Sequence, residues 1–379
     1  MELHRMPSLK IGHLEAALPI VQGGMGVGIS LAGLASSVAE EGGVGVIATA
    51  GIGRLEPDFR RDLRAANRRA LAKEIRRARE ATNGIIGVNI MVALSDYADM
   101  VAVAVEEGAD LVFMGAGLPL KLPSMLTIER MRSCATRFVP KVSSARAARL
   151  ICRHWDRHFR HLPDALVIEG PKAGGHLGFR REQIDDPDYS LERLLPEMVE
   201  TVAPFEDRYG RALPVIAAGG IYTGGDIRDC LELGASGVKM GTRFVGTYEC
   251  DAHDRFKEAY LRCREEDLTI IDSPVGLPGR AIANRFLRDV VEGIKKPYHC
   301  AWRCLQTCDV STAPYCIAQA LNQAKEGKLS EGFAFAGANA FRVRELTSVK
   351  KLMAILKGEF EAAAHAARQQ PCALGSHAG

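Results

Sequence analysis

Eight short apolar runs, separated by glycine-rich turns and stretches of helical spacing, constrain this chain more than any other feature. They are residues 19–22 (PIVQ), 44–49 (VGVIAT), 85–91 (IIGVNIM), 111–114 (LVFM), 137–142 (RFVPKV), 165–168 (ALVI), 214–217 (PVIA) and 237–240 (GVKM). Each is continuous rather than alternating, the pattern of a parallel strand covered on both faces. Helical periodicity fills residues 30–41, 95–107, 145–154 and 226–233 between them. Eight successive βα units in 379 residues predict a closed TIM (β/α)8 barrel rather than an open doubly wound sheet.

The rhythm stops after about residue 244. The organisation read from the sequence is a barrel over residues 1–250 and a helical, cysteine-containing lid over 251–330. A strand-turn-helix segment at 331–361 then packs back on the barrel, and a disordered tail occupies 362–379. A 47% hydrophobic content can bury a large core. The net charge of +3 argues for no polyanionic partner. The basic run at residues 60–79 reads as the solvated face of a helix. The N-terminus has no signal-peptide pattern and no run is long enough to span a bilayer, so ten cysteines point to reduced thiols and a cytoplasmic location. Neither a nucleic acid nor a membrane is expected as a partner.

Glycine-rich turns follow four of the runs: QGGMG at 22–26, EGPKAGGHLG at 169–178, AGGIYTGG at 218–225 and MGTR at 240–243. Glycine lets backbone N–H groups converge on an anion with no Cβ in the way. A turn that opens a helix adds the favourable end of its dipole. The loops after strands seven and eight are where such barrels grip a phosphate. Together these turns predict one phosphorylated cofactor across the barrel mouth.

The segments PIVQGGMG, GVNIM, EGPKAGGHLGF, PVIAAGGI and GVKMGTRF, in this order, resemble the nitronate monooxygenase family, which includes flavin-dependent enoyl-acyl-carrier-protein reductases and NADH:quinone reductases. The likeness covers roughly residues 15–290 and implies non-covalent FMN in a TIM barrel. It implies that Gln22, Gly23, Gly24 and Met25 lie along the flavin ring and that Asn89 and Lys141 approach its polar edge. Gly175, Gly219, Gly220, Gly241 and Thr242 would cradle the ribityl phosphate, with Glu169, Gly174 and Ala218 in the same cofactor-binding set. His176, in the AGGHLG turn, is the expected catalytic residue, because an imidazole near its neutral point can take a proton from carbon or return one.

Cys300, Cys304, Cys308 and Cys316 are spaced C-x3-C-x3-C-x7-C, a departure from the best-known members of the family. Three readings stay open for them: buried or redox-active thiols, an iron–sulfur cluster, or zinc. A single helix over 300–308 would separate Cys300 from Cys308 by about 12 Å, too far for one cluster, so four ligands require a bent segment. The reaction expected is NAD(P)H-dependent reduction of an activated, enoyl-thioester-like double bond or of a quinone. Oxidation of alkyl nitronates with O2 is the alternative, and a phosphate-ester barrel without redox chemistry is an alternative of another class. The expected partners are a small-molecule or acyl-thioester substrate and a second copy of the chain.

Overall fold

The computed structural model describes residues 4–369 apart from 122, 124, 125, 295, 297, 301 and 307. Eight parallel strands close into a barrel: β1 (Ile20–Gln22), β2 (Val44–Ala48), β3 (Ile85–Met91), β4 (Leu111–Gly115), β5 (Arg137–Val142), β6 (Leu166–Glu169), β7 (Val215–Ala218) and β8 (Gly237–Met240). Each strand pairs with its neighbours in chain order and β8 closes on β1, in register Val238 to Ile20 and Met240 to Gln22. The eight apolar runs are these eight strands. The runs at 165–168 and 214–217 sit one residue later than expected, which brings Glu169 and Ala218 into the strand ends.

Alternate residues fill the barrel interior, among them Val21, Val46, Phe113, Val139, Val167 and Ile216. An N-terminal hairpin, Leu9–Ile11 paired with Leu14–Ala16, closes its lower end, with Leu9 and Ile11 in the same cluster. Helices cover the outside, the long ones being Leu63–Ala81, Ala145–Phe159, Leu191–Tyr209 and Val349–Gln369. The basic run lies on the first of these. Its cations pair outward with neighbouring carboxylates, as in Arg76–Glu107 at 2.5 Å and Lys73–Glu56 at 2.8 Å. Among the described residues no helix is long and apolar enough to cross a membrane.

Only the four-residue helix Thr242–Val245 directly follows β8. The outer place beside the strand 7 helix, Gly224–Glu232, is taken by the last helix, Val349–Gln369. Its buried residues Val349, Leu352, Met353, Leu356, Phe360 and Ala364 recur at helical spacing along one face. The two helices touch backbone to backbone at Gly224, where an added Cβ would lie 2.1 Å from the carbonyl oxygen of Leu356. The expectation of disorder from residue 362 is therefore corrected as far as 369. The alanine-rich sequence that reads as featureless has high helix propensity and an anchored face; residues 370–379 lie outside the described residues.

The region after β8 also differs from the expected helical lid. Besides the helices Asp254–Arg262, Arg285–Val291 and Ile317–Lys325, it holds an antiparallel pair, Leu268–Asp272 with Pro278–Ile282. The Pro/Gly stretch at 273–279 supplies the turn between these strands rather than ending the regular structure. Among the described residues the expected strand near 331–348 is reduced to single bridges, Phe335 to Ala281 and Thr347 to Thr247.

Candidate active site

Toward the C-terminal ends of the strands the inward positions of the barrel turn polar. Asn89 on β3, Lys141 on β5 and Glu169 on β6 all face the mouth, and Lys141 Nζ lies 2.9–3.0 Å from both carboxylate oxygens of Glu169. Lys239, on β8, is buried below them, its ammonium 4.7 Å from the centre of the Phe113 ring. Burial, then repulsion from Lys141, pulls its pKa down to about 7, with Glu169 opposing.

Two adjoining cavities open at this end, of about 850 and 240 Å³. Both are lined by Gly24, Asn89, Lys141, Glu169, Gly174 and Gly175. The smaller also takes in Gly23 and Met25 on one side, and Ala218, Gly219, Gly220, Gly241 and Thr242 on the other. These residues from the ends of β1, β3, β5, β6, β7 and β8 thus converge as the sequence predicts. Gln22 does not line either cavity. It is fully buried, its Oε1 accepting from Val46 N at 2.8 Å, so it ties β1 to β2 where the strands pair only through Val21 and Val44.

The smaller cavity has the form of a cradle. Gly219 adopts φ +95°, and a Cβ there would stand 2.7 Å from the carbonyl oxygen of Gly170, so only glycine fits. At Gly175 the added Cβ would meet nothing within 4 Å, so the missing side chain leaves open space instead of packed contact. A late turn closes the far wall: Gly337 N donates to Thr242 Oγ1 at 3.0 Å and Asn339 Nδ2 to the Gly220 carbonyl at 2.5 Å.

His176 lines the larger cavity, held by the lid rather than by the barrel alone. Gly175–His176 forms a third strand on the lid hairpin, with His176 opposite Gly279. Its Nε2 shares a 2.7 Å hydrogen bond with Ser273 Oγ, and its ring meets Phe335 edge-on at 4.9 Å. Burial, with Lys141 nearby, lowers its pKa to about 4, so the ring is neutral at neutral pH.

Sequence reasoning did not single out Lys239, Ser273 or the turn around Gly337 and Asn339. The lysine had a signal, a lone cation inside the apolar run GVKM. The AGAN sequence at 336–339 had another, a small-residue turn like those after the strands. Ser273 had none, because its partner lies 97 residues away.

The family model of nitronate monooxygenase matches residues 8–359. The chain belongs to the nitronate monooxygenase family. FabK from Thermotoga maritima superposes with a TM-score of 0.70 at 29% identity over 92% of this chain and 94% of that one. A nitroalkane oxidase from Streptomyces ansochromogenes gives 0.70 at 25% identity over 93% and 98%. Among curated relatives, (3aS,4S,5R,7aS)-5-hydroxy-7a-methyl-1-oxo-octahydro-1H-indene-4-carboxyl-CoA dehydrogenase of Mycobacterium tuberculosis is 28% identical over 73% of this chain and 66% of its own length. The Rhodococcus jostii protein of that name is 26% identical over 70% and 62%. The match thus spans slightly under two thirds of these two relatives. A probable nitronate monooxygenase of Staphylococcus aureus is 34% identical over 34% of each chain.

Membership in the nitronate monooxygenase family implies an oxidoreductase that uses flavin. The site fits such a group: a glycine-walled cradle of about 240 Å³ opens into a wider chamber with amide and ammonium donors, Asn89 and Lys141, at the junction.

Proposed function

We propose that this family member is an FMN-dependent enzyme that uses NAD(P)H to reduce an activated double bond in an enoyl-thioester-like substrate, or a quinone. The larger cavity carries this reading. At about 850 Å³ it extends from Asn89, Lys141 and His176 outward to Arg54 and Arg303, and a basic rim suits a nicotinamide dinucleotide or the phosphorylated carrier of an acyl thioester. The coenzyme A thioester in the names of the mycobacterial and Rhodococcus relatives favours the same substrate class. The chemistry that bound FMN supplies is two-electron hydride transfer.

The protein's own part is binding, orientation and proton handling. The cradle at Gly219, Gly220, Gly241 and Thr242 would hold the phosphate, and Lys141 would set a positive charge at the polar edge of the ring. His176, kept neutral and fixed by Ser273, would hold or move a proton at the substrate carbon. The lid hairpin that pairs with Gly175–His176 would exclude water from the reacting face.

One phosphate cradle and no dinucleotide fingerprint point to FMN as the resident flavin. Release of the cofactor by heat, followed by chromatography, should yield FMN; FAD, or a colourless protein that takes up no flavin, would defeat the assignment. A second reading, oxidation of alkyl nitronates with O2, draws on the same neutral His176, which could accept a proton from the carbon beside a nitro group.

A further inference from the structure

Four cysteines sit on the lid between two fixed points. On one side, residues 303–306 are clasped to the loop after β3: Ser95 N donates to the Cys304 carbonyl at 3.1 Å, Gln306 N to the Ala93 carbonyl at 3.0 Å, and Leu305 bridges Leu94. On the other, Tyr315 is buried against Phe286 and Phe333 at ring distances of 5.3 and 6.0 Å, and Cys316 caps the helix Ile317–Lys325. Between these points the described residues of 298–316 form no helix, and Arg303 turns the chain at φ +44°. The helical separation that would keep Cys300 from Cys308 is therefore absent.

The segment brings the Cys304 thiol within electrostatic reach of those of Cys316, Cys300 and Cys308. All four are free and half-buried. One donor in the same segment, the buried indole Nε1 of Trp302, is left without a partner among the described residues, and the buried hydroxyl of Tyr298 lies beside the Cys308 thiol and near Cys300 and Cys316. A cation stands beside the group, since the Arg54 guanidinium stacks 5.3 Å over the Trp302 ring within electrostatic reach of Cys304 and Cys316.

We propose that Cys300, Cys304, Cys308 and Cys316 are the four thiolate ligands of an iron–sulfur cluster seated against the larger cavity. An anionic cluster answers three features at once: four free thiols within electrostatic reach of one another, the orphaned Trp302 indole and the Tyr298 hydroxyl able to hydrogen-bond cluster or cysteine sulfur, and the stacked arginine. Zinc fits less well. Among the described residues no three acidic, histidine or cysteine side chains converge on a point where one ion would sit. Thiolates of a cluster bind different irons and stand farther apart than four thiolates sharing a single zinc. Cys304 also lines the larger cavity beside Trp302 and Arg303, so the cluster would form part of that chamber's wall.

The full-length protein should be purified without oxygen and assayed for iron, acid-labile sulfide, zinc and flavin, with electron paramagnetic resonance after reduction by dithionite. The expected result is iron and sulfide in equal amounts, at least about two of each per chain, with a reduced-cluster signal distinct from the flavin radical. Cys308→Ser and Cys316→Ser should lose both elements, while Cys134→Ser, a free thiol outside the segment, should keep them. Zinc without sulfide, no metal at all, or iron and sulfide undiminished in both serine variants would each overturn the proposal. Should those variants fail to fold, the wild-type stoichiometry and its resonance signal still decide. Because flavin is measured separately, a cluster without FMN would leave this site standing and count only against the flavin assignment.

Discussion

In the proposed reaction His176 is the side chain on which the chemistry would turn, and its surroundings come from the lid as much as from the barrel. Replacing it by alanine should lower turnover by on the order of 100-fold or more, while flavin content, measured by absorbance, stays near that of the wild type. With the pKa drawn from 6.5 toward about 4, the acidic limb of kcat/KM assigned to this residue should fall well below pH 6.5, and a limb at or above that value would contradict the assignment. Lys239 makes a second residue-scale prediction. Its pKa is about 7 in the fold against 10.5 for an unperturbed lysine. Between those values the unfolded chain binds a proton that the folded one does not, so its contribution to stability rises with pH across that window. Below pH 7 both states carry the charge and the full cost of burying it remains. Lys239→Met should therefore stabilise the flavin-free protein at pH 6 by on the order of 1 kcal/mol or more and flatten the rise toward pH 10. Thermal melts at several pH values would show it, and an unchanged profile would mean that the ammonium is solvated or paired.

At the scale of elements, the barrel strands were legible because burial on both faces leaves an unbroken apolar run between glycines. The cradle was legible because glycines such as Gly219 are required by backbone conformation, a constraint that sequence displays directly. Gly219→Ala should weaken FMN binding on the order of tenfold or more, measured by fluorescence titration of the stripped protein; unaltered affinity would place the phosphate elsewhere. The lid hairpin was not legible. Its strands LTIID and PGRAI flank a Pro/Gly turn that also reads as a simple break, and their pairing with Gly175–His176 joins segments about a hundred residues apart. The last helix was hidden for another reason: Leu356 and Phe360 find their partner in Gly224–Glu232, a contact that no local pattern announces. Gln22 shows the converse. Its place in a family motif implied a role beside the flavin, whereas its buried amide serves strand pairing.

For the whole molecule, the barrel supplies the cradle, the polar layer of Asn89, Lys141 and Glu169, and His176 in the loop after β6, and the lid supplies the serine partner of His176 and part of the wall of the larger cavity. That division leaves the smaller cavity glycine-walled and packed, and the larger one wide and basic. A chamber of this kind is larger than a small nitronate needs, and it distinguishes the two redox readings by their electron donor. The deciding measurement is anaerobic stopped-flow reduction of the protein-bound flavin by NADH, NADPH and an alkyl nitronate in parallel. The account predicts that at least one pyridine nucleotide bleaches the flavin in a rapid, concentration-dependent phase and that an enoyl thioester or a quinone then restores its absorbance. Reduction by the nitronate alone, with neither nucleotide reacting, would contradict it.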